Sequence, residues 1–88
     1  VVEVRSSRTQ QRVLLEFLPP EARPAGTKAW RPMEFVARVE AAGLVGSLAI
    51  AEHSDAEEAE IFFRNYLAQT YRIGERLPPG FYRIAVGP

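Results

Sequence analysis

The sequence predicts a small α+β or α/β domain spanning residues 1–88, in the order β-β-α-β-α-β, with a four-stranded mixed sheet packed by two helices. Three observations predict it. Valine-rich or alternating segments lie towards both ends, as expected for strands with one buried face. Two internal segments carry apolar residues three and four apart, the spacing of an amphipathic helix. Prolines and glycines stand between these segments, where chain reversals are needed.

Val1–Arg5 reads as a short strand, followed by a polar linker from Ser6 to Gln11. Arg12–Leu18 reads as a second strand, with Val13, Leu15 and Phe17 on one face and Arg12, Leu14, Glu16 and Leu18 on the other. Pro19-Pro20 ends it, because neither residue can donate to a sheet ladder. Pro19 to Arg31, with Pro24 and Gly26 within it, reads as a long loop of the kind that is often functional.

Pro32 suits the first position of a helix over 32–42, whose stripe is Met33, Phe35, Val36, Val39 and Ala42. Glu34 and Arg38 make a favourable i,i+4 pair on it, and Gly43 suits a left-handed C-terminal cap. Val45–Glu52 reads as a central strand covered on both faces. Ser54-Asp55-Ala56-Glu57 matches a capping box, in which Ser54 and Glu57 satisfy each other's amides. The helix beyond it carries Ala59, Phe62, Phe63, Tyr66, Leu67, Thr70 and Tyr71 on one stripe and ends near Gly74. Leu77-Pro78-Pro79-Gly80 makes a turn, and Phe81–Val86 closes the sheet with Tyr82, Ile84 and Val86 on one face. Strands joined by helices should run parallel with right-handed crossovers.

Formal net charge is zero, yet it is segmented: +3 over residues 1–31, −6 over 32–60 and +3 over 61–88. A neutral chain is a poor generic polyanion binder, because such affinity scales with the phosphates neutralised. The basic residues are ten Arg and one Lys, a preference that suits carboxylate, phosphate or protein interfaces and that a coding bias also explains. The absence of cysteine removes disulfides, thiol catalysis and thiolate metal sites. No stretch approaches the roughly 20 apolar residues of a membrane span, and no signal pattern opens the chain, so no membrane role and an intracellular setting are expected.

His53 is the sole histidine, set in Glu52-His53-Ser54-Asp55. It could act as a general base, but no second imidazole or thiol accompanies it, so no metal and no cofactor are expected. No serine lies in a glycine elbow, and the glycines form no phosphate-cradling pattern. Trp30, between Lys28 and Arg31, could stack on a partner or cap the core at the base of the first helix. If the loop and the His53 turn share a sheet end, Arg23, Lys28 and Arg31 lie close to Glu52–Asp55.

These residues define a non-catalytic binding or assembly module for a macromolecular partner, a protein or a second copy, with Arg23, Lys28, Trp30, Arg31 and His53 as candidate binding residues. Nucleic-acid binding through Arg5, Arg8, Arg12 and the Lys28/Trp30/Arg31 loop is one alternative. A small enzyme or enzyme subunit using His53 is the other.

Overall fold

The computed structural model describes residues 1–24 and 30–87. Its strands are β1 (Val2–Ser6), β2 (Arg12–Glu16), β3 (Met33–Glu40), β4 (Gly43–Leu44), β5 (Ala49–Glu52) and β6 (Gly80–Val86). Helix α1 (Glu57–Asn65), a π-helical turn (Tyr66–Thr70) and the short α2 (Ile73–Arg76) form one helical layer between β5 and β6. All six strands belong to one sheet in the order β2-β1-β6-β3-β4, and β5 pairs with β3 beside β4. Every pairing is antiparallel.

This corrects the expected four-stranded mixed sheet packed by two helices. The decisive change is at residues 32–42, which form strand β3 and not a helix. Met33, Phe35, Ala37 and Val39 are buried in strict alternation with Glu34, Val36, Arg38 and Glu40. The period is 2, and Val36 alone on the outer face supplied the appearance of a helical stripe. With a strand there, β6 inserts between β1 and β3 in antiparallel register, and the helical connection from β5 to β6 crosses over β3, so that β5 and β6 run parallel without pairing. Gly43 does adopt a positive φ, of 116°, but it closes the two-residue β3–β4 hairpin and caps no helix. The expected central strand over Val45–Glu52 shortens to the edge strand β5, whose Ala49, Ala51 and Glu52 are exposed.

One face of the sheet builds the core. Val2, Val86 and Met33 lie side by side in one row, and Val4, Ile84 and Phe35 in the next. The helical layer covers them with Ala59, Phe63, Leu67, Tyr71 and Ile73. Phe62 packs edge-on against Phe63 at 5.1 Å, and Trp30 packs on the same ring from the other side of the chain at 5.1 Å. Trp30 therefore anchors on α1, since the helix it was expected to cap is a strand.

Two further contacts hold the helical layer in place. The π-helical turn, closed by the Tyr71 amide on the Tyr66 carbonyl, aims Tyr71 at the sheet, where its hydroxyl donates to the Glu16 carboxylate. Burial and that carboxylate push the Tyr71 hydroxyl up to about 12. Gly74 lets α2 lie directly on β4: a Cβ there would meet the Leu44 nitrogen at 2.5 Å.

Candidate functional site

Two regions bring together the residues that chemistry or exposure singles out. The first is the turn between β5 and α1. Ser54 is fully buried, and its amide donates to Glu60 Oε2 at 2.7 Å. The Ser54 hydroxyl lies 3.0 Å from the same oxygen and accepts the Ala56 amide at 3.2 Å. Glu60 Oε1 meets His53 Nδ1 at 3.1 Å. Burial raises the Glu60 carboxyl, but the Ser54 amide, His53 and the Ser54 hydroxyl together outweigh it and hold the group below its ordinary value. Ser54 and Glu60 thus pair ahead of the helix, whereas the expected capping box of Ser54 with Glu57 does not form: the N-cap of α1 is Ala56, with no side-chain capping hydrogen bond.

An open groove of about 550 Å³ lies over this turn, lined by His53, Asp55, Glu57, Glu60, Ile61 and Arg64. A carboxylate on Nδ1 orients the imidazole and leaves Nε2 to the groove, as a general base requires. Among the described residues, three other polar groups here are engaged within the chain. Ser54 is buried and held by Glu60, Arg64 Nε donates to the Leu48 carbonyl at 3.1 Å, and Asp55 is paired with Arg31 at 3.3 Å. Among the described residues no group of three His, Cys, Asp or Glu side chains stands close enough to hold a metal ion.

The candidate residues of the long loop divide here. The Arg31 amide donates to the Ser54 carbonyl at 3.0 Å, which ties the loop's end to the acidic turn. Arg23 is exposed beyond the turn at Pro19–Ala22, and Lys28 lies outside the described residues.

The second region is the outer face of the sheet and its β2 edge. Val13 and Leu15 are each about half exposed, at 49% and 48%, and Phe17, one residue past β2, is 86% exposed. Phe81 (62%) on β6 and Val36 (38%) on β3 are exposed on the outer face, beside Arg38 and Arg83 and separated from Leu15 by Glu3 and Arg5 of β1. Leu15, opposite Glu3, lies on the outer face and Leu14, opposite Val4, packs against the core, but the expected division of β2 into two faces is broken by a bulge at Val13, which sets Arg12 opposite Arg5 on the same face as Leu15. Between the apolar residues, charges are matched in place: Arg5 and Arg12 on Glu3, Arg83 on Glu34, and Arg38 on Glu40. Arg8, in the β1–β2 turn, is exposed.

The backbone of β2 is open on its far side. The Val1 nitrogen donates to the Gly87 carbonyl and the Gly87 amide to the Val1 carbonyl, while the Ser7 amide donates to Phe81. Odd-numbered residues of β1 therefore bond β6, and even-numbered ones bond β2 at Leu14 and Glu16. The N–H and C=O of Leu15 point off the sheet, whereas a bulge at Val13 interrupts the alternation there and Phe17 lies beyond the strand. Sequence reasoning named none of these three as site residues, since alternation alone does not say which face is uncovered.

Comparison with known protein families, with curated proteins and with solved structures finds no match to this chain. The functional reading therefore rests on the geometry of these two regions.

Proposed function

We propose that the chain is a non-catalytic binding or assembly module that recognises a protein partner through the outer sheet face and the β2 edge. One observation carries the reading: Leu15, Val36 and Phe81 are large, apolar and exposed on the side of the sheet opposite the helical layer, and Val13 and Phe17 are exposed along the β2 edge. Exposed apolar side chains beside an open strand edge suit a protein contact, because such an edge is a template for a further strand. The arginines of this face favour a protein over nucleic acid. Arg5 and Arg12 already share the Glu3 carboxylate, which offsets the charge a phosphate would need.

A photoreactive amino acid placed at Phe81 in the producing cell tests the reading, with Gln69 on the helical layer as the control position. Discrete protein adducts from position 81, lost when Leu15 is also changed to Glu, are the expected result. Adducts to nucleic acid would turn the assignment to the alternative. Adducts from position 69 alone would overturn the outer face as the contact surface.

A further inference from the structure

We propose that the groove between β5 and α1 is a second docking site, which takes an extended basic segment of a partner protein as a further strand along β5. The site is separate from the outer face and the β2 edge, so it stands or falls independently of the reading above.

The backbone of β5 forms one wall. Odd-numbered residues of β6 bond β1, so its even-numbered residues bond β3, through Met33, Phe35, Ala37 and Val39. Phe35 therefore turns to β6, and Val36 turns to β5, where it meets Ala49. Ile50, the next residue, stands opposite Phe35 without bonding it, and its N–H and C=O point away from β3. Leu48 shows the same direction, since its carbonyl accepts from Arg64 of α1 at 3.1 Å. The pairing is unbroken from Ala49 to Ile50, and the irregularity of this ladder falls after them, at Ala51. At Leu48 the helix closes the edge; at Ile50 the edge opens on the groove.

Helix α1 forms the other wall. It returns along β5, because Arg64 near its end reaches back to Leu48. Ile61 is 47% exposed and lines the groove with Ile50 and Ala56. At about 550 Å³ the space has the size of a binding cleft. An added strand would lay alternate side chains between Ile50 and Ile61. On its other face it would pass the small, exposed Ala49 and Ala51.

Charge names the occupant. Residues 52–60 hold Glu52, Asp55, Glu57, Glu58 and Glu60 and no Lys or Arg. Asp55 is matched by Arg31, and Glu60 by the Ser54 amide and His53. Glu57 at the groove and Glu52 at the end of β5 are exposed and, among the described residues, have no ion-pair partner. A segment that places Lys or Arg beside an apolar residue satisfies these carboxylates, whereas an acidic segment sets like charges together.

A blocked heptapeptide alternating lysine and valine is the probe, its glutamate–valine counterpart is the control, and amide-resolved nuclear magnetic resonance of the chain is the readout. The lysine peptide should shift the Ile50 amide and slow its hydrogen exchange, and the glutamate peptide should bind about tenfold more weakly or not at all. Ile61→Lys, at an exposed position, should weaken the lysine peptide by about tenfold or more without moving the thermal midpoint. Leu15→Glu should leave its binding unchanged. Equal affinity for the two peptides would overturn the basic occupant. An Ile50 amide that the lysine peptide leaves unmoved up to millimolar concentration, or binding that Ile61→Lys does not weaken, would overturn the site. Protein adducts at Phe81 would stand in either case, because they read the opposite face of the sheet.

Discussion

The β5–α1 turn and the β2 edge differ in how completely each is satisfied by its own chain. The turn holds the most distinctive polar chemistry in the molecule, and it is closed on itself. Glu60 is 7% exposed, both its oxygens are occupied, and its donors come from Ser54 and His53. The β2 edge holds ordinary aliphatic and aromatic residues, and it is open: the backbone of Leu15 points off the sheet and its side chain into solvent. A buried polar group without partners costs about 1–3 kcal/mol, so a closed network of this kind is required by folding alone. Folding gains nothing from an exposed phenylalanine. Function is therefore better sought where the chain leaves apolar surface and backbone groups unused than where its titratable residues meet.

The largest effect should come from the layer that both regions depend on. Phe63 is buried under Trp30 and Phe62, and Phe63→Ala should cost about 3–5 kcal/mol, read as a lowered thermal or denaturant midpoint. Tyr66 is only partly buried, so Tyr66→Ala should cost clearly less. An equal loss at the two positions would mean that the helical layer presents a different face to the sheet.

Next in size is the closed turn itself. Glu60→Ala strands the buried Ser54 amide and should cost about 1–3 kcal/mol in denaturant unfolding at neutral pH. The pH dependence follows from its lowered pKa. The folded chain releases this proton more readily than the unfolded chain, whose ordinary value is 4.5. The stabilisation is complete above that value and lost as pH falls below it through the folded one. Wild type should therefore lose its advantage over Glu60→Ala in acid, and a constant difference between the two from neutral pH down to acid would refute the Ser54–Glu60 pairing.

Two contacts that join the helical layer to the sheet should have intermediate effects. Gly74→Ala drives a Cβ into the Leu44 backbone and should cost about 1–3 kcal/mol by overpacking, measured as a shift in midpoint. Tyr71→Phe removes the hydroxyl that holds Glu16 beneath the β2 edge and should cost about 1 kcal/mol. Here the sign runs to alkali. A tyrosine raised from 10.0 to about 12 stabilises fully below pH 10 and loses that contribution as pH rises towards 12. The Tyr71→Phe variant should flatten this limb of the stability profile, and an unchanged limb would assign it to another group.

Much of this comparison was legible in the residues, and its failures have physical causes. The alternation of Tyr82, Ile84 and Val86 identified the inner face of β6, and the aromatic row identified Phe63 as core. Met33–Glu40 misled because Pro32, the Glu34–Arg38 spacing and a single outward Val36 imitate a helix start and stripe. Tertiary pairing with β6 on one edge and with β4 and β5 on the other overrode that local pattern. For β2, alternation misses the bulge at Val13, which puts Arg12 on the same face as Leu15, and it does not say which face is covered. That depends on where the helical layer lies, a long-range property of the fold. Ser54 resembled a cap because Glu57 follows it at the capping-box spacing, but the helix starts two residues later at Ala56 and Ser54 pairs with Glu60, outside that spacing.

The smallest effect is expected at His53, and it separates a structural contact from a site. The imidazole supplies one of the donors to Glu60 but is itself 70% exposed at the side chain. In His53→Ala the Ser54 amide and hydroxyl still hold Oε2, and Oε1 sits at the groove, where water can replace the lost donor. Stability should change by no more than about 0.5 kcal/mol, as for exposed positions generally. The acid transition should nevertheless move to higher pH, because one of the contacts that lower the Glu60 carboxyl is gone. Association at the β2 edge should be untouched, since His53 belongs to the helical side of the sheet. If His53→Ala instead abolished that association, or any measurable turnover, while its melting curve matched wild type, the groove would be the working site for that function too. The exposed apolar edge would then be the bystander.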